Sequence, residues 1–332
     1  MQGTGTAEQL ILLFGGDTML GRGVNVVIRR KGATYPLEPL AATTRAADLF
    51  LVNLECAITP RDIWYSGPRK AFYFRADPAA ADTLAHAGVD LVSLANNHAL
   101  DADYDGLRDT LRLLDERAIR YVGAGETSEA AARPVFLEAK GARLGVLAYC
   151  DHQRDFAARA DQPGIRYVDL SDADTPGHLA REVEALAARV DHVIVAFHWQ
   201  HNWVERVKPL YRSLARQLVE AGARIIWGHS PHHFQGVEWI GDCVVLYATG
   251  DLVDDYKLVP DFRNDRQLLF QVVLSRAGVE QVRALPLELE TGRTRTASGE
   301  ARQWIVDRFG KMCGDVGSRV AQVDDWLDVL PG

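Results

Sequence analysis

Cysteine is scarce in this chain, and its few residues lie far apart. The four cysteines among 332 residues are Cys56, Cys150, Cys243 and Cys313, and no two of them form a Cys-x-x-Cys pair. The spacing therefore indicates neither a disulfide framework nor a thiolate zinc site. We interpret the four thiols as buried, reduced and apolar side chains.

The sequence also lacks an excess of basic residues. Its 37 lysines and arginines are outnumbered by 45 aspartates and glutamates, which gives a formal net charge of −8. Nucleic acid is thereby disfavoured as a partner, because a protein that binds phosphate backbones normally presents a basic face. An anionic small-molecule or peptide substrate stays compatible with this balance, since a few arginines can dominate one cleft.

Long apolar runs are missing, and no segment approaches the length of a membrane span. The first ten residues contain no basic region followed by an apolar one. If Met1 is the natural N-terminus, these absences predict a soluble, cytoplasmic protein without a direct membrane anchor. There is no internal repeat, low-complexity tract or linker, so we expect residues 1–332 to form a single domain. The oligomeric state is not indicated.

What the sequence does contain is a series of apolar strands that alternate with amphipathic helices, the pattern of an α/β protein. The strands are predicted at residues 10–14, 47–54, 89–95, 143–149, 193–197, 223–227 and 243–247, followed from about residue 265 by a hairpin of 267–274 and 279–290. The helices are predicted from 78 to Gly88 with Asp77 as N-cap, and at 103–117, 178–189, 211–220 and 301–309.

Oxygen- and nitrogen-bearing side chains follow most of these strands. They are Asp17, Glu55, Asn97, His98, His198, His229, His232 and Asp251. We expect Gly15-Gly16 to turn the backbone sharply, so that Asp17 stands just past the end of its strand. Ligands bind at the carboxyl edge of open α/β sheets, so one site can collect the whole set. Such a mixed set suits zinc, manganese, iron or nickel.

The phrases that contain these residues resemble the calcineurin-like metallophosphoesterase superfamily, and more closely its CapA/PgsA branch, named for poly-γ-glutamate capsule biosynthesis. They are Gly16-Asp17-Thr18-Met19-Leu20-Gly21-Arg22, Asn53-Leu54-Glu55, Ser93-Leu94-Ala95-Asn96-Asn97-His98, Phe197-His198-Trp199, Gly228-His229-Ser230-Pro231-His232 and Tyr247-Ala248-Thr249-Gly250-Asp251. The resemblance spans roughly residues 10 to 275. It implies a four-layer αββα sandwich with the site at the C-terminal edge of the strands.

The resemblance also implies a role for each residue. Asp17 and His232 would bind one metal, Glu55 would bridge, and His98 would protonate the leaving group. A second metal would be held by Asn97, His198 and His229. We expect Asp251 to orient a ligand histidine from outside the set.

One departure weakens the first metal position. The superfamily pattern is Asp-x-His, but Met19 occupies the histidine position here. The first metal would keep only Asp17, Glu55 and His232. The implied cofactor is therefore one or two divalent transition-metal ions (Mn, Zn, Fe or Ni), and a protein without metal stays open.

Three cations follow the first two strand ends. Arg22, Arg69 and Lys70 are either solvated loop charges or the counter-charge for an anionic substrate. His198 lies between two aromatic residues and could instead be a core histidine, in which case His201 would take its place as a ligand. His152 is a minor candidate for the cleft.

We therefore interpret the chain as a metal-dependent hydrolase that uses a metal-activated water on a phosphoester or a γ-glutamyl or peptide amide. An alternative is a metal-independent isomerase or epimerase, in which His98 or His229 and a carboxylate move a proton. A non-catalytic component of poly-γ-glutamate synthesis is the third interpretation, and the absence of a membrane anchor counts against it. The sequence does not define the substrate.

Overall fold

The central strands of this protein are mostly apolar because both of their faces are buried. In the computed structural model, which describes residues 9–332, every residue of the strands Leu49–Leu54 and His192–His198 is buried. The four cysteines of the described chain are buried as well, and none of them is in a disulfide. No helix within residues 9–332 has the length and apolar character needed to cross a lipid bilayer.

The strands are β1 (Leu10–Thr18), β2 (Leu49–Leu54), β3 (Ala57–Ile58), β4 (Arg75–Ala76), β5 (Leu91–Ser93), β6 (Arg120–Val122), β7 (Ala124–Gly125), β8 (Val135–Ala139), β9 (Ala142–Cys150), β10 (Gly164–Ile165), β11 (His192–His198), β12 (Ala223–His229), β13 (Val237–Ile240), β14 (Cys243–Leu246), β15 (Asp251–Val253), β16 (Arg266–Ser275), β17 (Gly278–Glu290), β18 (Arg293–Thr296), β19 (Ser318–Val323) and β20 (Trp326–Pro331). The helices are α1 (Arg22–Lys31), α2 (Ala41–Arg45), α3 (Ala79–Ala87), α4 (Asp103–Asp115), α5 (Ser128–Ala132), α6 (Thr175–Ala187), α7 (Pro209–Glu220) and α8 (Gly299–Asp315).

Two large sheets organise these elements. The first has ten strands in the order β19-β20-β17-β16-β1-β2-β5-β6, with β15 paired to β1 and β18 to β17. The second has six strands in the order β13-β14-β12-β11-β9-β8. The strands β1, β2, β5 and β6 run parallel to one another, as do β9, β11, β12 and β14. Each sheet therefore gathers several carboxyl ends at one edge.

The two sheets pack face to face, and helices cover the outer faces. Along β11, Ile194 belongs to the core shared with the first sheet, whereas Val195 packs in a second core with α6 and α7. Across the interface, the rings of Phe14 and Trp227 lie 5.6 Å apart between centroids. This arrangement confirms the predicted four-layer αββα sandwich.

The predicted turn at Gly15-Gly16 is wrong, because β1 runs through both glycines to Thr18. The glycines instead permit close approach of β15. A Cβ atom on Gly16 would lie 1.8 Å from the carbonyl oxygen of Gly250, so no larger residue fits. Asp17 therefore lies within the sheet, held by a backbone hydrogen bond of 2.7 Å to Gly250.

The predicted N-cap at Asp77 is also wrong. Pro78 occupies the N-cap of α3, and the Asp77 carboxylate pairs with Arg29 of α1 instead. Gly88 ends α3 in the left-handed conformation (φ 77°), as expected for a C-terminal glycine. Several elements were not predicted, among them α1, which begins at Arg22, the short helices α2 and α5, the edge strand β8, and the closing hairpin β19–β20, which extends the first sheet.

Candidate metal centre

Strand ends from both sheets meet at one edge of the sandwich, and the predicted ligands lie there. In the first sheet, Asp17 lies in β1, Glu55 directly follows β2, and Asp251 begins β15. In the second sheet, His198 and His229 end the parallel strands β11 and β12, where they are register partners. Carboxylates from one sheet thus face imidazoles from the other.

A first ligand cluster consists of Asp17, Glu55, His232 and Asp251, all buried, with one ligand atom of each lying within 4.8 Å of the others. His232 is at its centre. The Nδ1 atom of His232 lies 3.2 Å from Asp17 Oδ2 and 3.0 Å from Asp251 Oδ1. Sequence reasoning put Asp251 outside the ligand set, but its carboxylate contacts the same imidazole nitrogen as the other acids.

A second ligand cluster consists of Asp17, His198 and His229, which are buried and again lie within 4.8 Å of one another. The Nδ1 atoms of His198 and His229 are 2.8 Å apart. The Nε2 atom of His198 lies 2.9 Å from the side-chain oxygen of Asn97. Both predicted histidines and Asn97 therefore converge on this cluster.

Glu55 and Asp17 lie between the two clusters. The Oε2 atom of Glu55 is 3.9 Å from His232 Nδ1, and its Oε1 atom is 3.7 Å from His198 Nε2. Asp17 belongs to both clusters. This position is the one that a bridging carboxylate requires.

The chemistry of these residues fits a metal. Within the described part of the chain, Glu55 Oε1 and His229 Nε2 are buried without a hydrogen-bond partner. Several carboxylates also share this buried space, and burying a charge without compensation is costly. A divalent cation would compensate the charge and engage the unpaired atoms.

The pKa values of the histidines differ between the two clusters. Burial lowers the pKa of His229 to about 3, and burial together with the neighbouring imidazoles lowers the pKa of His198 well below its usual range. Both rings are thus neutral, which is the form that binds metals. Burial also disfavours charge on His232, but Asp251, Glu55 and Asp17 outweigh it and raise its pKa well above the usual range.

A strained turn returns the chain from β12 to the first cluster. Ser230 and His232 both have positive φ, at 110° and 60°, in a region that non-glycine residues rarely occupy. The Ser230 N–H donates to Asp17 Oδ2 at 3.2 Å, and the Gln267 amide donates to the His232 carbonyl at 3.0 Å. These bonds hold His232, which follows His229 by three residues, beside Asp17.

Two asparagines that sequence reasoning did not assign to the site orient its ligands. The Asn53 amide donates to Asp17 Oδ1 at 2.7 Å, and the Asn96 amide donates to Asn53 Oδ1 at 3.0 Å. The backbone N–H of His98 in turn donates to Asn96 Oδ1 at 3.0 Å. In the sequence, only their position beside Glu55 and Asn97 indicated that these two asparagines belong to the site.

His98 is held by a buried carboxylate that the sequence analysis missed. Its Nδ1 lies 2.5 Å from Asp101 Oδ2, and its ring stacks on Phe74 with centroids 3.9 Å apart. Lys70 lies 2.5 Å from the other oxygen of Asp101. Burial, together with the Lys70 charge, lowers the pKa of His98 to about 4 against the opposing effect of Asp101.

A cavity of about 580 Å³ opens beside the clusters and is lined by Asn97, His98 and His232. Its other lining residues include the predicted cations Arg22, Arg69 and Lys70, a fourth cation, Lys257, and the aromatic residues Phe72, Phe74, Trp203 and Tyr256. Arg22 lies 3.4 Å from Asp255, and the side chain of Lys70, which is 8% exposed, pairs with Asp101. Within residues 9–332, Arg69 and Lys257 are exposed and form no salt bridge.

The remaining histidines lie outside the clusters. His201 is exposed and does not replace His198. His152 pairs with Asp151 and packs near His198, with ring centroids 4.8 Å apart. The two ring nitrogens of His233 lie near backbone carbonyls, and this residue takes no part in the ligand set.

A buried carboxylate–imidazole centre at the strand edge of an αββα sandwich defines a metallophosphoesterase-like protein. The family described as bacterial capsule synthesis protein PGA_cap matches residues 11–256. The chain therefore belongs to this family, and the resemblance inferred from its motifs is confirmed.

Two relatives align with nearly the whole chain. A probable polyglutamine synthesis accessory protein of Mycobacterium tuberculosis is 29% identical and aligns over 98% of this chain and 97% of its own length. The capsule biosynthesis protein CapA of Bacillus anthracis is 27% identical over 97% of this chain and 78% of its own length.

The chain is similar to solved structures at low sequence identity. A hypothetical protein from Thermus thermophilus superposes with a TM-score of 0.50 and 15% identity, covering 85% of this chain and 99% of that one. A 5'-nucleotidase from Candida albicans gives a TM-score of 0.43 at 11% identity, covering 85% of this chain and 52% of its own.

Proposed function

We propose that this protein is a metal-dependent hydrolase that cleaves a phosphoester or a γ-glutamyl or peptide amide in an anionic substrate. One observation carries the proposal: Asp17 and Glu55 lie between two ligand clusters beside a cavity that His98 also lines. The arrangement combines groups that hold cations with a separate imidazole that can transfer a proton.

A divalent metal bound there would lower the pKa of a coordinated water and polarise the ester or amide oxygen. Asp17, Glu55 and His232 would hold one ion. Asn97, His198 and His229 would hold the other.

His98 would act on the leaving group. Because Asp101 engages its Nδ1, the Nε2 atom is the one available to the cavity. The lowered pKa makes the ring neutral in the free protein. An anionic substrate would raise this pKa, and the protonated imidazole could then donate to the departing oxygen or nitrogen.

The charge of the cavity supports an anionic substrate. Arg69 and Lys257 are the cations there without a carboxylate partner among the described residues, so they can meet the substrate's own charges. Relatives named for capsule and PGA biosynthesis support a γ-glutamyl chain, whose free carboxylates would suit these cations.

The test combines metal analysis with hydrolysis assays on the purified protein. Asp17→Ala and His229→Ala should each lose bound transition metal and activity, whereas His201→Ala, at an exposed histidine, should keep both. The substrates are aryl and alkyl phosphoesters and a γ-glutamyl peptide.

Different failures contradict the proposal in different ways. If no metal binds at any supplementation, the hydrolase proposal is wrong and proton transfer by His98 in an isomerase or epimerase gains support. If metal binds but every substrate is inert, a non-catalytic role in polyglutamate synthesis gains support.

A further inference from the structure

The two ligand clusters differ in the kind of atom that they offer. The first contains three carboxylates and one imidazole, and the second contains two imidazoles and one carboxylate shared with the first. Carboxylate-rich sites suit magnesium and manganese, whereas imidazole-rich sites suit zinc, iron and nickel. The difference depends on whether Asp251 is a ligand.

The sheet itself fixes the position of Asp251. It is the register partner of Asp17 in the parallel pair β1–β15. The close approach of Gly16 to Gly250 draws the two strands together. Asp251 is thus placed opposite Asp17 by strand pairing rather than by a loop, so little rearrangement is needed for both carboxylates to bind one ion.

The distances around His232 match those between neighbouring ligands of one ion. Its Nδ1 lies 3.0 Å from Asp251 Oδ1 and 3.2 Å from Asp17 Oδ2. Adjacent ligands of an octahedral ion with bonds of about 2.1 Å are separated by about 3.0 Å. The second oxygen of Asp251, Oδ2, is buried without a nitrogen donor among residues 9–332, and the Asp251 carboxylate otherwise contacts the buried Asp254 carboxyl group.

The residue two positions after Asp17 adds no donor to this cluster. Met19 is buried, and its sulfur accepts a hydrogen bond from the Gly21 N–H at 3.2 Å. The thioether of Met19 thus contacts the backbone two residues further along the chain. Among the described residues of this cluster, Asp251 is the one placed to supply a fourth protein ligand.

We infer that Asp251 is a direct ligand of the first metal, and that the first position is an oxygen-rich site for Mn²⁺ or Mg²⁺, distinct from a nitrogen-rich second position at His198 and His229. This inference rests on the proposed metal centre. It assigns Asp251 a direct bond to the ion, where sequence reasoning gave it only a supporting role.

The test measures metal binding rather than turnover. Chelator-treated protein is titrated with Mn²⁺, followed by electron paramagnetic resonance, and with Zn²⁺, followed by calorimetry. Asp251→Asn should weaken Mn²⁺ binding by more than about 100-fold, beyond the ~10–100-fold loss typical of outer hydrogen-bond partners. Zn²⁺ binding at the second position should change by less than about 3-fold, since that cluster keeps its imidazoles.

Asp90→Asn is the matched control. Asp90 is a partly buried acid directly before β5, away from the two clusters, and its Oδ2 accepts the Phe50 N–H at 2.8 Å, a bond that asparagine can keep. This variant should bind Mn²⁺ like the unsubstituted protein. Asp251→His should shift the preference of the first position from Mn²⁺ towards Zn²⁺, which a merely orienting residue would not do.

Three results would overturn the inference. Equal losses of Mn²⁺ binding in Asp251→Asn and Asp90→Asn would indicate a general electrostatic effect. A loss of Mn²⁺ binding in Asp251→Asn of no more than ~10–100-fold, as outer hydrogen-bond partners give, would indicate that the carboxylate acts through His232. Absence of metal binding in the unsubstituted protein would refute the proposed function as well. Circular dichroism of the metal-free variants separates these results from misfolding.

Discussion

The Asp101 carboxylate lies 2.5 Å from Nδ1 of His98, which precedes it by three residues in the chain. The imidazole is held between this carboxylate and the ring of Phe74, on which it stacks. The same carboxylate accepts the Phe74 N–H at 2.7 Å and pairs with Lys70. The imidazole is thus fixed in orientation before any substrate enters. A proton donor in a hydrolytic site needs this kind of fixed geometry.

Asp101→Asn should lower kcat by roughly 100-fold while leaving the metal content unchanged. The Phe74 N–H and His98 Nδ1 both contact Oδ2. An asparagine therefore either keeps an oxygen there without the charge that stabilises a protonated His98, or turns its NH2 group towards Nδ1 and favours the wrong tautomer. The defect should be large for alkyl phosphoesters, whose leaving groups need a proton, and small for p-nitrophenyl esters.

The double variant with His98→Ala separates catalysis from structure. If the two residues act as a unit, the double variant should be no slower than His98→Ala alone. Loss of metal in Asp101→Asn, or an equal defect with both leaving groups, would contradict this role.

Arg69→Ala and Lys257→Ala should each raise KM by about 5- to 50-fold for an anionic substrate, with little change in kcat. Both side chains line the cavity and form no salt bridge within residues 9–332, so their charge is available to a ligand. The defect should shrink at high ionic strength because exposed charges are screened.

Arg30→Ala is the control for these two variants, because Arg30 is an exposed cation of α1 outside the cavity. It should leave KM unchanged. A similar rise in KM for all three variants would mean that only the overall charge of the protein matters.

The succession of strands along the chain, and the candidate ligands at their ends, could be predicted because each depends on the local pattern of apolar and polar residues. Runs of buried apolar residues identify strands, and a polar residue directly after such a run lies at the sheet edge. Asp17, Glu55, His198 and His229 were all found in this way. These four side chains lie close together because their strands are paired in parallel, and the order of the motifs along the chain already indicated such pairing.

Contacts that depend on tertiary packing could not be predicted in the same way. Asp101 lies in the turn before α4, three residues after His98, and nothing in its neighbours distinguishes it from a helix-start acid. Its carboxylate is oriented by the distant residues Phe74 and Lys70, which only the folded chain brings to it. Gly15-Gly16 has the composition of a turn, but its role is to admit β15. The strands β19 and β20 are mostly solvent-exposed and so lack the apolar pattern that identified the others.

Glu55→Gln should have opposite effects on the metal-free and metal-loaded protein. Burial and the nearby Asp17 raise the pKa of Glu55 well above its usual range. The folded metal-free protein therefore favours the protonated form, and this group destabilises the fold increasingly as pH rises above the pKa of an unfolded glutamate. Neutral glutamine removes that cost, so the metal-free variant should be more stable at pH 8 by on the order of 1 kcal/mol.

The same variant should gain less stability from metal, since a ligand between the two clusters has lost its charge. Thermal unfolding with chelator and with saturating Mn²⁺ measures both effects, because ligand binding to the folded state raises its stability by mass action. Asp90→Asn, outside the two clusters, should retain the full metal-dependent gain. If Glu55→Gln lowers the stability of the metal-free protein at pH 8, contacts with the protein itself must stabilise the charged carboxylate in the absence of metal.

Glu238 provides a stability test away from the metal centre. This buried carboxylate of β13 accepts hydrogen bonds from Arg212 at 3.0 Å, Arg216 at 2.5 Å and Tyr247 at 2.6 Å. Burial alone would raise the pKa of Glu238, but the bonds from Arg212 and Tyr247 outweigh it and lower the pKa. The carboxylate therefore stabilises the fold above the pKa of an unfolded glutamate, and this contribution is lost as pH falls through the lowered pKa.

Glu238→Gln should consequently destabilise the protein by about 2–3 kcal/mol at pH 7, because it leaves two arginines without their buried partner. The difference between the variant and the unsubstituted protein should narrow as pH falls through the lowered pKa of the native carboxylate. Urea unfolding at pH 7, 5 and 3.5 measures this trend. Glu220→Gln, at an exposed position of α7, should change stability by less than about 0.5 kcal/mol at every pH. A difference for Glu238→Gln that stays constant across this pH range would mean that packing, and not charge, accounts for its effect.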